Sequence, residues 1–564
     1  MKKRIIITIL ICAAVLSGVI FLFTRNTAEY VEKPDEADIR SAIGLLSKSS
    51  GSAVMYCDWL DTLEDPEADY GTGTVSAVPE NAADFTSVDY NESVTYRIKT
   101  GQAGLYVLKV QYKPTGSTMS DFAVDVTVNG RQDYHEMKII ALPQLWSDET
   151  KDYATDSYGD EMAPKQVRYD EVQERYFYSS TYVSSTPLLF KLDAGENTIV
   201  LKNVAANGLG LGKLTVERPA DRPVSYEEYL SDHQNAARPE GLITINAIDY
   251  TKKNSTQAIY VTEDDTAVVP YDVHYKKLNG IKFTEAGTEL YYNVEVPESG
   301  LYSLSFHYTN EKEEYDAFES IYIDGSIPFA ELSGYAFKPT GSTWTNATLS
   351  GKDGAPYLIY LEAGTHEICL KEEQENVYRA WRYSRLISEH VAQFALEIGK
   401  IRGADKDKYR TWNMTKYIPE IPDYLDSYLT LITYIRYLSQ DNSTYGINSA
   451  LLSDMDKALI FIKQVRKYPD EIALYTEKLT GRDNSILVAM SNFTSEILKS
   501  KFTLDRIYVG SEKDKLPKAS ANIAERFANG AQKLLLSFTQ NKYSTKVKDE
   551  EVLTVWVNRA VTHV

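Results

Sequence analysis

Cysteine is scarce in this sequence, with three residues among 564. Cys12 lies in an apolar N-terminal run, and Cys57 and Cys369 lie far apart in the chain. No pair of them has the spacing of a zinc site, and their positions do not suggest a disulfide framework. The sequence therefore predicts neither a metal site nor a scaffold held together by disulfide bonds.

Familiar catalytic motifs are also missing. The sequence has no His-Glu-x-x-His, no Gly-x-Ser-x-Gly and no P-loop, and its seven histidines are dispersed. Gly208, Gly210 and Gly212 precede a strand-like segment, which indicates a turn or a kinked strand and not a phosphate loop. A carboxylate pair of the glycosidase type stays open with 80 acidic residues, although these concentrate in polar loops and on helix faces. We predict no catalytic residue and a protein that is not an enzyme.

Basic residues are in deficit, because 60 Lys and Arg face 80 Asp and Glu and leave a net charge of −20. Such a chain repels phosphate backbones, so nucleic acid is not expected as a partner. A neutral ligand such as a glycan is compatible with this charge. Tyrosine is abundant, with 42 residues against 17 Phe and 6 Trp. Its apolar face and polar tip suit half-wet β surfaces and polyhydroxylated ligands.

An uncharged apolar run covers residues 5–23, directly after Lys2, Lys3 and Arg4. A bilayer-spanning helix needs about 20 such residues, and the preceding basic residues favour a cytoplasmic N-terminus and an exported body. No small-x-small cleavage site ends the run, so we predict a transmembrane signal anchor, with a cleaved signal peptide as the alternative. The protein is expected at the cell membrane, single-pass, with an extracellular body.

A repeat occupies the middle of the chain. Its first copy includes residues 94–98 and 104–112 (VTYRI and GLYVLKVQY). The second copy has similar residues at 290–294 and 300–308 (LYYNV and GLYSLSFHY). Both copies alternate apolar and polar residues around a glycine-containing turn. This pattern is typical of two antiparallel strands with one buried face.

The two copies continue in step. Asn129-Gly130 answers Asp324-Gly325, and both dipeptides supply the positive φ angles of tight hairpin turns. Residues 187–201 then answer residues 356–370, each as strand, glycine turn and strand. The shared order predicts two antiparallel β-sandwich domains of the jelly-roll type.

The apolar spacing becomes helical after residue 371. Stripes with i, i+3, i+4 spacing recur at residues 424–438, 451–462, 486–498 and 523–535 and predict an all-α helical domain. Residues 552–557 read as a buried strand that has no partner of its own.

Together these patterns predict a multidomain chain with a fixed order of parts. The expected parts are a transmembrane signal anchor (1–25), a first sandwich (40–220), a linker (221–240), a second sandwich (241–373), a helical domain (374–546) and the first strand of a further domain (547–564).

The blocks GLYSLSFHY, IYIDG and LEAGTHEICL resemble carbohydrate-binding modules of the galactose-binding-like jelly-roll type. The resemblance covers residues 50–220 and 240–373 and implies a glycan or oligosaccharide as ligand. Modules of this family open with Glu-Ala-Glu, whose carboxylates help to hold a structural calcium ion. The matching residues 246–250 read NAIDY and lack two of these acids. We therefore predict no cofactor, with structural calcium as the alternative.

The whole order of parts resembles large extracellular solute-binding proteins of carbohydrate ABC transporters. Residues 156–167 (DSYGDEMAPKQV), 444–458 and 553–558 (LTVWVN) carry this resemblance, which extends over nearly the whole chain. In those proteins the last motif opens a two-lobed solute-binding domain. Because the sequence stops there, we expect a truncated or split member whose solute-binding domain is missing. An ABC transporter permease is the partner that the resemblance implies.

Sugar rings present apolar C–H faces that stack on Trp or Tyr, and their hydroxyls need amides and carboxylates nearby. Loops on a rigid sandwich are the natural place for such groups. Trp146, and Trp344 with Asn346, follow the hairpin turns of the two repeats. We predict Trp146, Trp344, Asn346 and Tyr250 as carbohydrate-binding residues. The alternative is that each tryptophan plugs the end of its sandwich, because large aromatic residues are mostly buried.

The function expected from sequence is that of a membrane-anchored extracellular carbohydrate-binding accessory protein of an ABC-type sugar uptake system. A structural or scaffold protein at the cell surface that binds a partner protein is the first alternative. A glycan-degrading enzyme is the second.

Overall fold

The computed structural model describes residues 31–539, apart from short segments at 52, 64, 81–83, 157–159, 180–185, 256–258, 263–267, 269–276, 284–285, 312–315, 404–408 and 442–449. The expected anchor (1–25) and the expected terminal strand (547–564) lie outside the described residues. Within the described part of the chain, no helix combines the length and the hydrophobicity needed to cross a membrane.

The first sandwich consists of two antiparallel sheets that face each other. One sheet has the order β1-β12-β4-β10, with β2 paired to β12 and β9 to β4, and the other has the order β3-β11-β5-β6. The strands of this half of the chain are β1 (Thr74–Ala77), β2 (Thr86–Val88), β3 (Ser93–Thr100), β4 (Gly104–Pro114), β5 (Phe122–Val128), β6 (Ile140–Leu142), β7 (Trp146–Asp148), β8 (Gln166–Arg168), β9 (Gln173–Tyr176), β10 (Leu189–Leu192), β11 (Gly195–Asn203) and β12 (Leu209–Glu217).

The second sandwich repeats this arrangement. Its sheets have the orders β15-β16-β24-β18-β21, with β13 on β24 and β22 on β18, and β20-β19-β23-β17-β14-β7-β8. The strands are β13 (Ile243–Asn246), β14 (Lys252–Lys253), β15 (Ile259–Thr262), β16 (Leu278–Lys282), β17 (Glu289–Val296), β18 (Gly300–Asn310), β19 (Ala317–Ile323), β20 (Tyr335–Phe337), β21 (Thr345–Thr348), β22 (Leu358–Leu361), β23 (Gly364–Glu373) and β24 (Phe502–Gly510).

The sequence repeat corresponds to a structural repeat. The alternation in β3 and β17 buries every second residue, as one buried face requires. The predicted hairpin turns are confirmed, because Asn129 and Gly130 have φ values of 50° and 75°, and Asp324 and Gly325 have values of 51° and 82°. These positive angles suit Gly, Asn and Asp.

The second sandwich is completed by a strand from beyond the helical domain. β24 pairs with β13, β16 and β18 and lies in the middle of its sheet. The assignment of these residues to a helical domain at 374–546 was wrong, because the partners of β24 lie far upstream and leave no local signal. In the first sandwich, β12 pairs with β4 in the same way, and each of these last strands has a bulge at the same register position. The helical domain is therefore an insertion before the last strand of the second sandwich.

The helical part is a bundle in which α4, α6, α7 and α9 pack against each other and α1 packs against α4 and α6. The helices are α1 (Glu36–Ser50), α2 (Tyr56–Leu60), α3 (Tyr226–Asp232), α4 (Glu375–Arg402), α5 (Met414–Tyr417), α6 (Ile421–Asp441), α7 (Ala450–Val465), α8 (Thr476–Thr480), α9 (Ile486–Ile497) and α10 (Ile523–Thr539). α1 corrects the expected start of the first sandwich at residue 40, since its buried Ile39, Ala42 and Leu46 face the bundle and the first strand begins at Thr74.

The first sandwich and the bundle share one continuous hydrophobic core, and the second sandwich has its own. The two sandwiches also touch directly. β7 and β8 belong to the first repeat by sequence but extend a sheet of the second sandwich through β14. Next to them, Arg175 of β9 forms a bidentate ion pair with the buried Glu289 of β17, with N–O distances of 2.7 and 3.0 Å.

Candidate functional site

Trp146 and Tyr250 lie at the junction between the two sandwiches. Trp146 is on β7 opposite Lys253 and is 4% exposed, and Tyr250 is fully buried. The hydroxyl of Tyr250 donates to Asp148 at 2.5 Å and lies 2.7 Å from the hydroxyl of Tyr260. Neither ring presents a face to a ligand, so the prediction that they stack on sugar fails on burial, and the alternative of a buried tryptophan holds for Trp146.

Asp148 is the centre of this junction. It accepts hydrogen bonds from Lys151 at 2.8 Å and from Gln166 at 2.6 Å, besides those from the two tyrosines. Burial raises the pKa of Asp148, but these hydrogen bonds lower it by more, so the group is held ionised. A carboxylate with this many donors holds β7 and β8 on the second sandwich and has no oxygen left over for a sugar.

Trp344 and Asn346 lie on the second sandwich, in and before β21. The indole of Trp344 is 6% exposed and its ring centroid lies 5.0 Å from that of His307. Asn346 donates its side-chain amide to the carbonyl of Pro517 at 2.6 Å. Asn346 therefore lies beneath the chain that follows β24, and the burial of Trp344 corrects the expectation of an open tryptophan.

In the described part of the chain, the equivalent face of the first sandwich is partly exposed to solvent. Directly opposed residues of neighbouring strands share a face, and the register places Ser76, Thr215, Lys109 and Tyr176 in one row across β1, β12, β4 and β9. Ser76 is exposed, and Lys109 and Tyr176 are partly exposed. We call the outward side chains of these strands, together with Gln111, Lys113, Glu174, Glu217 and the adjoining Phe85, the open face.

Two aromatic rings stand at opposite sides of the open face. Tyr176 is half-buried, donates its hydroxyl to Glu217 and has the ammonium of Lys109 at 5.1 Å from its ring centroid. Burial and this hydrogen bond raise the pKa of the Tyr176 hydroxyl, so it stays a neutral donor at physiological pH. Phe85 is also half-buried, with the ammonium of Lys113 at 4.6 Å from its centroid.

Gly212 explains how Phe85 comes to lie on the sheet. It occupies the bulge of β12, and a Cβ placed there would lie 2.6 Å from the Phe85 ring. The glycine therefore lets the ring rest directly on the backbone. The sequence prediction of a kinked strand at this glycine-rich segment is confirmed by the bulge between Leu211 and Leu214.

Hydrogen-bonding groups fill the space between the two rings. Gln111 donates to Glu174 at 3.4 Å, Lys109 lies 3.5 Å from Glu174, and Ser76 and Thr215 share a hydrogen bond of 2.9 Å. Two strand spacings of about 4.8 Å, from β9 over β4 to β12, separate the rings by roughly 10 Å across the sheet. The open face thus combines two apolar ring surfaces with amide, carboxylate, hydroxyl and ammonium groups.

Residues 246–250 do not fit a calcium site. Asn246 donates its side-chain amide to Asp249 at 2.8 Å, Ala247 and Ile248 are buried, and Tyr250 binds Asp148. Among the described residues, no group of three or more His, Cys, Asp or Glu side chains is arranged to hold a metal ion.

Sequence reasoning missed Phe85 and Tyr176. It singled out tryptophans and a tyrosine by their place after hairpin turns, whereas exposure depends on which strands and loops cover them. One signal was available for Tyr176, since its strand reads QERY and puts the ring and Glu174 on the same side. Phe85 has no comparable local signal, because Gly212 lies far from it in the sequence.

Comparison with known proteins finds a family that is similar to the helical part. Residues 379–497, from within α4 to the end of α9, match the family described as bacterial solute-binding protein, 4-helix bundle domain. No curated protein matches this chain.

Solved structures of carbohydrate-binding modules are similar to parts of this chain. A family 35 module from Clostridium thermocellum is 18% identical, with 24% of this chain and 88% of that chain covered and a TM-score of 0.18. A family 6 module of Cellvibrio mixtus lichenase 5A, in complex with cellotriose, is 19% identical, with coverages of 23% and 86% and a TM-score of 0.17. A GH26-CBM35 mannanase from Podospora anserina is 16% identical over 29% of this chain and 36% of its own, with a TM-score of 0.15.

Proposed function

We propose that this protein binds carbohydrate through the open face of its first sandwich. The observation that carries the proposal is the pair of half-buried rings, Phe85 and Tyr176, on one sheet face with polar groups between them. Aromatic rings accept the apolar face of a sugar ring, and the polar groups exchange hydrogen bonds with its hydroxyls. The roughly 10 Å between the rings across the sheet, from two strand spacings, suits a short oligosaccharide and not a single sugar.

Two lysines cover the rings of the open face when no ligand is bound. Lys109 and Lys113 each hold an ammonium over one ring. Long lysine stems move at little cost, so a sugar displaces them and turns their ammonium groups toward its hydroxyls. The acidic charge of the whole chain favours neutral saccharides over anionic ones.

The protein acts as a non-catalytic accessory of sugar uptake at the cell surface. The family match of residues 379–497 to a bundle of bacterial solute-binding proteins supports this role, and the apolar run at residues 5–23 supports attachment to the membrane. A permease of the ABC type is the expected transport partner.

Binding of the full-length protein to a glycan array tests the proposal. The wild type should bind a set of neutral oligosaccharides, and F85A and Y176A should each weaken that binding about tenfold, the usual loss for a central aromatic contact. Tyr468 is 64% exposed in the helical part and provides the control, since Y468A should leave binding unchanged. No binding to any glycan, or equal binding by all four proteins, would contradict the proposal.

A further inference from the structure

The second sandwich has a face equivalent to the open face, and this face is covered. The register puts Asn346, His307 and Arg506 in one row across β21, β18 and β24, next to Ser303 and Ser305. His307 is 2% exposed, and both serines are buried. Together with Trp344 and Asp505, these residues are called the covered face.

The chain that follows β24 provides the cover. Residues 511–522, here called the strap, place the carbonyl of Ala519 at 3.0 Å from Nε2 of His307 and the carbonyl of Pro517 at 2.6 Å from Asn346. A carbonyl oxygen can only accept, so Nε2 of His307 donates to Ala519, while Asp505 contacts the other ring nitrogen. Two side-chain donors of the face are thus used by backbone oxygens, the same kind of acceptor that a sugar hydroxyl offers.

The strap is weakly attached to the covered face. Glu512, Lys513, Lys515, Pro517 and Lys518 are exposed. Its start is held by an ion pair between Glu512 and Arg238 at 2.5 Å, whereas Lys518 pairs with Glu525 of the helix that follows the strap. The helix α10 that follows adds little, because its apolar Ile523 and Phe527 are 88% and 79% exposed. A segment with few buried apolar contacts opens at low cost in free energy.

The covered face also leaves a polar atom without a partner under the strap. The side-chain oxygen of Asn346 is buried and accepts no hydrogen bond. Such a group is costly to bury, and a ligand that donates a hydroxyl would satisfy it. The strap therefore fits this face less well than a polyhydroxylated ligand would.

From these observations we propose that the covered face is a second carbohydrate-binding surface, held closed by the strap. Trp344 would supply the stacking ring, and His307, Asn346 and the serines the hydrogen bonds. This inference rests on the proposed function, because it assigns the same ligand class to the second sandwich. The strap and the oligosaccharide would compete for Nε2 of His307 and the amide of Asn346.

The test uses full-length protein in which F85A and Y176A remove both rings of the open face. We call this variant the silenced protein. On this background, E512R reverses the ion pair that holds the start of the strap. Loosening should raise the affinity for the array oligosaccharides about threefold, the scale of an exposed ion pair. R238E, added to the loosened protein, restores the pair and should return the affinity to its starting value.

The outcomes separate the two proposals. If the wild type binds oligosaccharides and the loosened protein binds no better than the silenced one, the covered face is not a carbohydrate site and the strap proposal is overturned. If none of the proteins binds any oligosaccharide, both proposals fail. A gain that the restoring variant does not reverse also counts against the strap, since it would come from the added charges alone.

Discussion

At the scale of single residues, one pair of matched core positions carries carboxyl groups in the second sandwich and none in the first. Glu319 and Glu372 lie directly opposite each other on β19 and β23. The matched residues of the first sandwich are Val124 and Asn203, and the amide of Asn203 donates to two carbonyls. Glu319 is fully buried and neither of its carboxyl oxygens has a partner. The second sandwich thus holds the carboxyl of Glu319 where the first holds the apolar side chain of Val124.

This pair makes stability depend on pH. Burial raises the pKa of Glu319 well above its usual value, and the carboxyls of Glu372 and Glu373 raise it further. The folded protein therefore keeps a proton that the unfolded chain releases, and stability falls as pH rises above the unfolded pKa. We expect E319Q to raise the thermal midpoint of the full chain, with a gain that grows from about pH 5 to about pH 9.

Glu298 gives a matched control for this prediction. It is an exposed glutamate of the same sandwich, so E298Q should leave the midpoint unchanged at every pH. A gain from E319Q that is constant across the pH range would show that Glu319 ionises as readily in the folded protein as in the unfolded chain.

At the scale of secondary structure elements, β24 links the helical part to the second sandwich. It pairs with three strands, and all of its residues are buried. A sheet that loses a central strand exposes unpaired backbone groups and much of its core. The second sandwich therefore depends on residues that follow the whole helical insertion.

Truncation tests this dependence. A chain that ends at residue 500 lacks β24 and should lose the slow hydrogen exchange of β16 and β18, whereas a chain that ends at residue 522 should retain it. Exchange measured by mass spectrometry on both chains gives the comparison. Equal protection of β18 in the two chains would show that the second sandwich folds without β24.

The same elements show what the sequence reveals and what it conceals. Alternation and the Asn129-Gly130 and Asp324-Gly325 turns are local signals, and the repeated strands and hairpins follow from them. The sequence did not predict that β24 belongs to the second sandwich, because its main partner β18 lies far upstream. A strand between helical segments carries no local signal that names its sheet. Asn346 was expected at an open rim because the sequence does not reveal that Pro517, far downstream, lies against it.

At the scale of the whole molecule, the parts are tied together by buried contacts. The first sandwich and the bundle share a core, and Arg175 joins the first sandwich to Glu289 of the second. Burial raises the pKa of Glu289, but the Arg175 guanidinium, together with Lys371 and Tyr291, lowers it to about 2. This pair therefore adds stability above the unfolded pKa of a glutamate and loses it as pH falls toward 2.

Removing one partner of this pair should destabilise the protein strongly. R175M leaves the buried Glu289 carboxylate uncompensated, and we expect a loss of about 3 kcal/mol or more in the free energy of unfolding. R175M with E289M should recover most of this loss, because neither member of the pair is then buried without the other. Chemical denaturation measures both. The exposed pair of Arg466 and Asp426 is the control, and R466M should cost at most about 1 kcal/mol.

The central claim, that carbohydrate binds on the open face, is tested most directly by hydrogen exchange on the full-length protein with and without a saturating array oligosaccharide. The account predicts slower exchange in β4, β9 and β12 and around Phe85 and Gly212, and unchanged exchange in the helical bundle. Protection confined to the bundle, or to strands that do not carry the open face, would contradict it.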